Sequence, residues 1–159
     1  MHGSTDSSVR VPARGTHGAA FPKLPGGLAR FINVTVFRIF RNRRFQDFNV
    51  LLLTTTGARS GQQRQTTVAY FPEGDNTWLI VASKGGAATH PAWFFNLAKH
   101  PDQVWAEIGS KKVKVRPVTL SGEERTVAWR RITQQSPQFG AYETKTDREI
   151  PVVRLTAEG

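Results

Sequence analysis

The sequence predicts an α+β fold: a split β-barrel, mostly antiparallel, with surrounding helices. Three observations lead there. Apolar or alternating runs suited to strands recur at 49–56, 64–71, 78–83, 104–108, 112–118 and 150–155. Two of the connections are hairpin turns, Glu73-Gly74-Asp75-Asn76 and Gly109-Ser110. Regular crossover helices do not separate the strands, which argues against a doubly wound parallel sheet.

At 159 residues the chain can build one sizeable core but not two. Residues 1–23 are rich in Gly, Ser, Thr and Arg and lack an apolar segment. They are expected to form a disordered basic tail, and they do not read as a secretory signal. Residues 24–159 then form the single domain. No apolar run is long enough for a membrane span, so the expected location is the cytoplasm.

The first element is an amphipathic helix over 28–44. Its wheel places Leu28, Ala29, Ile32, Val36, Ile39 and Phe40 on one face, with Arg30, Arg38, Arg41 and Asn42 opposite. Phe31, Val34 and Phe37 fall among the arginines. Such a helix suits either packing on the domain or peripheral attachment to an anionic membrane on its inner, cytoplasmic face. The strand at 49–56 is apolar at nearly every early position, which predicts burial on both faces. Pro91 suits the first turn of a helix that ends before Pro101, with Trp93, Phe94 and Leu97 on its apolar side. In strand 112–118 the outward residues are all basic: Lys112, Lys114 and Arg116. Ser121-Gly122-Glu123-Glu124 reads as a capping box opening a helix to about Gln135. An aromatic segment with Phe139 and Tyr142 precedes the last strand.

Formal net charge is +10, which points to an acidic partner: nucleic acid, an anionic membrane or a multiply charged ligand. There is no cysteine, which excludes disulfides and thiolate chemistry. His2, His17, His90 and His100 show no metal-ligand spacing, so no metal is expected. G-x-S-x-G, G-x-G-x-x-G and Walker A patterns are absent. An enzyme of this composition would rely on a bound cofactor for the hard chemistry.

Two loops invite a polyanion. Gly57-Ala58-Arg59-Ser60-Gly61 and Ser83-Lys84-Gly85-Gly86 each follow a hydrophobic strand and combine glycines with a cation. Glycine exposes backbone N–H groups, and a helix signal follows the second loop. On spacing alone, plain turns with exposed cations remain an equal reading.

Three segments in order, TTTGARSGQQRQT, VASKGGAATHPAWFFNL and TDREIPVV, resemble the deazaflavin-dependent nitroreductase family. These are actinobacterial split-barrel proteins that use coenzyme F420, and the likeness runs over roughly 24–155. The resemblance implies that Arg59, Ser60 and Gly61 hold the coenzyme's phosphate-bearing tail. Ala58 replaces a usual cation there, and Arg64 stands where it could compensate. It also implies that Thr66, Thr67, Val68 and Ala69 lie against the deazaflavin ring, with Thr67 in place of a common proline. Ser83, Lys84, Gly85, Gly86, Trp93 and Asn96 match the second coenzyme loop and its helix. Phe139 and Tyr142 match the substrate wall, with Tyr142 as the candidate catalytic group. Nitroimidazole-reducing relatives carry several tyrosines there, so little nitroimidazole turnover is expected. The implied activity is hydride transfer from reduced F420 to a small electron-poor acceptor: a quinone, an activated alkene or a nitro compound. The alternatives are a basic nucleic-acid-binding module on Lys112, Lys114 and Arg116, and an FMN-binding or coenzyme-sequestering barrel. Either a monomer or a dimer is compatible.

Overall fold

A computed structural model of the chain describes residues 9–20, 26–40 and 49–158. Helix α1 (Gly26–Phe40) leads into strands β1 (Asn49–Thr56), β2 (Gln63–Gly74) and β3 (Thr77–Val81). A 3-10 turn at Lys84–Gly86, helix α2 (Ala92–Lys99) and the hairpin β4 (Trp105–Ile108) and β5 (Lys111–Thr119) follow. Helices α3 (Gly122–Gln135) and α4 (Pro137–Glu143) precede β6 (Val152–Ala157). The strands close into an antiparallel barrel in the order β1-β2-β3-β6-β5-β4. The predicted split barrel is therefore present, and each foreseen strand lies within a few residues of its expected span.

β1 explains why the sequence shows no clean alternation there. Leu51 and Leu53 point into the barrel, beside Val68, Ile80, Val115, Val153 and Leu155. Val50 and Leu52 face outward into a second cluster under α1, α3 and α4, with Phe37, Leu120, Ile132 and Phe139. Period-2 side chains on a strand covered on both faces must all be apolar. Phe94 and Leu97 of α2 join the interior cluster.

Three expectations are corrected. First, α1 packs through the face opposite to the one its wheel suggests. Phe37 is 1% exposed and Val34 packs on the outer cluster, whereas Leu28, Ile32 and Ile39 face solvent with Phe31, 68% exposed. Both sides of this helix are apolar, so the docking side was decided by what it meets. Asn33 accepts a hydrogen bond from the Thr67 backbone N–H at 3.0 Å, and the Thr67 hydroxyl donates to the Asn33 carbonyl. Residues 41–44 of the expected helix lie outside the described residues. Second, residues 9–20, assigned to a disordered tail, lie against the domain. Val9 is buried, and backbone bonds run from Gly15 N–H to Ala88 C=O (2.8 Å) and from Ala19 N–H to Gly86 C=O (3.0 Å). Polar composition does not preclude order where each N–H finds a specific acceptor. Residues 1–8 and 21–23 lie outside the described residues. Third, Ser121 occupies the N-cap of α3, but its side chain makes no capping bond. Among the described residues, no helix is long and apolar enough to cross a membrane.

Candidate functional site

The first glycine loop is a tight connection between β1 and β2. Gly57 N–H donates to Gln62 C=O (2.7 Å) and Gly61 N–H to Gly57 C=O (2.9 Å). Gly61 has φ +68°, a left-handed conformation that favours glycine. A Cβ on Gly57 would stand 2.5 Å from Ser60 Oγ, so a larger residue there would displace the Ser60 hydroxyl. Ser60 Oγ accepts from Gln62 N–H (3.1 Å) and from Arg64 Nη2 (3.4 Å). That places the Ser60 hydroxyl and the Arg64 guanidinium together. Arg59 and Arg64 are both exposed, and neither pairs with a carboxylate among the described residues.

α2 fixes the loop from behind. Asn96, 7% exposed, accepts from Ala58 N–H (2.9 Å) and donates to Thr55 Oγ1 (3.1 Å). Its amide thus satisfies one backbone donor of the loop and one hydroxyl of β1, which sets their spacing. Trp93, one turn earlier, is buried with its surface at the same opening. The result is a cleft of about 890 Å³. The loop 57–60 and Gln62 to Thr66 form one wall, Trp93, Phe95 and Asn96 another, and Ala29 and Asn33 of α1 a third.

The open edge of β2 gives the cleft its direction. β2 pairs with β1 along its first half but meets β3 only from Tyr70 onward. Between Gln63 and Ala69 one backbone edge pairs with no strand among the described residues, and it is here that Asn33 bonds Thr67. Thr66 lines the cleft. Val68 points into the barrel interior, and Ala69 packs on the outer cluster. Only the backbone of Val68 and Ala69 can therefore face a ligand along this edge.

The second loop lies where β3 parts from β2. Lys84, Gly85 and Gly86 all have positive φ (45°, 63° and 85°). Lys84 Nζ donates to Thr89 Oγ1 at 3.1 Å. α4 backs this loop so closely that a Cβ on Gly86 would stand 2.8 Å from Tyr142 C=O. Behind it Arg148, 5% exposed, donates from Nε to Ala87 C=O (2.7 Å) and from Nη2 to Ser83 and Ala82 C=O (2.8 and 3.2 Å). Arg148 Nη1 lies 3.1 Å from His90 Nδ1. Burial pushes the Arg148 guanidinium down to about 10 and holds the His90 imidazole below its ordinary value. Asp147 is lowered too, to about 2, chiefly because the Thr16 hydroxyl donates to its carboxylate at 2.6 Å.

The structure thus brings Arg59, Ser60, Arg64, Thr66, Trp93 and Asn96 to one cleft. It does not line that cleft with Ser83, Lys84, Gly85 or Gly86, which border the far end of the β2 edge. Phe139, expected at the substrate wall, packs mainly inward. It is 4% exposed, edge-on to Phe71 (centroids 5.6 Å apart), and belongs to the outer cluster. Tyr142 is half-buried beside it, with Lys145 Nζ 5.7 Å from its ring centre. Sequence reasoning missed Asn33, Phe95 and Arg148. Asn33 carried a weak signal as one of two polar residues, with Thr35, in the most apolar stretch of α1. Arg148 stood within the TDREIPVV segment but with no role of its own.

The chain as a whole is similar to known proteins. A family model described as F420H(2)-dependent quinone reductase matches residues 32–157. An F420H(2)-dependent quinone reductase of Mycobacterium tuberculosis H37Rv is 39% identical over 109 residues, covering 67% of this chain and 72% of that protein. A solved structure of an F420-H2 dependent reductase (FDR-A) is 38% identical with a TM-score of 0.60, covering 67% of this chain and 92% of the other. Another, described as a domain-swapped dimer, is also 38% identical with a TM-score of 0.60, over 67% and 78% of the two chains.

Proposed function

The chain belongs to the F420H(2)-dependent quinone reductase family, and on that premise we propose where its residues hold the coenzyme and what they do there. Its activity is that of an oxidoreductase that uses reduced F420 to reduce an electron-poor acceptor of quinone type. The carrying observation is the convergence of Arg59, Arg64 and Ser60 with Trp93 and Phe95 around one cleft of about 890 Å³. That donor set fits a coenzyme with an anionic tail and a flat ring. Cations, a hydroxyl and glycine-loop backbone meet the charged part, and aromatic surface with the β2 edge meets the ring. When bound, the reduced deazaflavin supplies the hydride.

The protein's own work is positioning and electrostatics. Arg59 and Arg64 neutralise the tail, and Gly61 lets the backbone approach it. Asn96 holds Ala58 so that the loop keeps its shape without the ligand. Thr66 and the backbone of Thr67, Val68 and Ala69 flank the ring along the β2 edge. Ser83, Lys84, Gly85 and Gly86 meet the coenzyme at the opposite end of that edge. Tyr142, beside this second loop, orders the acceptor and donates a proton. With Phe139 buried, the aromatic wall reduces to Tyr142.

Titrating the purified protein with F420, FMN and random-sequence DNA at moderate salt tests this reading. F420 is expected to bind at least tenfold more tightly than FMN, with menadione reduced by reduced F420. Tyr142→Phe should slow menadione turnover and leave F420 affinity intact. Preference for FMN or DNA, or a fully active Tyr142→Phe, would overturn these assignments.

A finer proposal concerns location. The exposed stripe of Leu28, Phe31, Ile32 and Ile39 runs along one side of α1, with Arg38 nearby. Quinones with long apolar tails reside in bilayers, and an apolar, cation-flanked helix face suits an anionic lipid surface. The wild type should co-sediment with anionic vesicles, and a Phe31→Ser/Ile32→Ser variant should not. Equal sedimentation of both, or none for either, sinks the idea.

A further inference from the structure

Arg148 lines no part of the cleft, yet its guanidinium organises the second loop. Its three carbonyl bonds grip the loop at entry (Ala82, Ser83) and at exit (Ala87), and His90 takes the remaining side. Between these anchors lie three residues with positive φ, one of them a lysine. A non-glycine residue with positive φ is disfavoured by itself, so the turn needs external support. In a trans peptide the C=O of one residue and the N–H of the next point in opposite directions. Each carbonyl drawn toward Arg148 therefore turns the following N–H away from it. These are the N–H groups of Ser83, Lys84 and Ala88.

The charge is also arranged in an unusual way. Among the described residues, every bond that Arg148 makes is to a neutral acceptor. Its two acidic neighbours in sequence are both turned elsewhere by the 9–20 segment. Asp147 accepts from Thr16 N–H (2.8 Å) and from the Thr16 hydroxyl, and Glu149 pairs with Arg10 at 2.7 Å. A buried cation without a carboxylate leaves its field on the loop in front of it.

We propose that Arg148 is a positioning residue for coenzyme binding: through Ala82, Ser83 and Ala87 it sets the Ser83–Gly86 loop in the form that meets the anionic coenzyme. This rests on the reading that the second loop meets F420. Lysine cannot reproduce the contact, because one ammonium cannot span carbonyls at both ends of the loop as a planar fork does.

The experiment compares wild type, Arg148→Lys and His90→Ala, each checked for native circular dichroism. F420 Kd is read by fluorescence, and menadione KM by turnover. Arg148→Lys should raise the F420 Kd at least tenfold while the menadione KM moves less than twofold. His90→Ala keeps the three carbonyl bonds and should raise the F420 Kd about threefold, a comparison that stands if Arg148→Lys does not fold. An F420 Kd within experimental error of wild type in the folded variants would overturn the proposal. Hydrogen exchange of the wild type with and without F420 separates the two levels. Protection gained across 83–88 supports the loop reading. No protection there overturns that reading, whatever the variants do.

Discussion

Phe94→Ala is expected to destabilise the fold by about 3–5 kcal/mol, the range for emptying a fully buried aromatic site. Phe94 has no exposed surface and belongs to the barrel-interior cluster with Leu51, Leu53, Val104 and Val153. Its ring stands edge-on to Trp93 at 6.2 Å and tilted against His90 at 5.2 Å between centroids. α2 has eight residues, too few to be stable as an isolated helix, so its position depends on this packing. The same helix carries Trp93 and Asn96 to the cleft. A loosened α2 should therefore also weaken coenzyme binding by releasing Ala58 from Asn96. Urea unfolding checks the first effect, with the midpoint falling and the slope unchanged. A loss below about 1.5 kcal/mol would mean that neighbouring side chains refill the site and that α2 is held by other contacts.

Removing both loop cations should have the largest effect on binding. Arg59→Ala alone is expected to weaken F420 affinity by about 1.5–3 kcal/mol, the range for one charge-assisted hydrogen bond. Arg59→Ala/Arg64→Ala is expected to weaken it by about 3–4 kcal/mol, a few hundredfold at low salt. The two effects should fall short of a simple sum, because Arg64 shares Ser60 Oγ with the loop that carries Arg59. Both cations are exposed, so raising salt should narrow the gap between variant and wild type. Stability should hardly move, since neither arginine is buried or, among the described residues, paired with a carboxylate. Fluorescence titration at two ionic strengths measures this. An unchanged affinity at low salt removes the loop from the coenzyme site.

The barrel was legible because strands and hairpin turns announce themselves locally. β1 read as buried on both faces from its unbroken apolar run, and the turns at Gly74–Asn76 and Gly109–Ser110 from their residue types. The Gly57–Gly61 loop was legible for the same reason: its glycines and its cation are contiguous. Family motifs then supplied a reading for these loops that spacing alone left open.

Other features depended on partners distant in the chain. The docking side of α1 could not be read from its wheel, because both sides are apolar. Phe37 under the helix and the Asn33 bonds to Thr67 decided it, across more than thirty residues of sequence. The N-terminal segment looked disordered because it is polar and glycine-containing, but its order comes from acceptors at Gly86 and Ala88 and from Asp147. The contact of Phe139 with Phe71 was not legible either, because it joins α4 to β2 across the fold. Arg148 shows the limit most clearly. By itself the sequence placed it in a recognisable motif and no more. Only the fold brought Ala82, Ser83, Ala87 and His90 around its guanidinium, because hydrogen-bond geometry is set by three-dimensional approach and not by residue type.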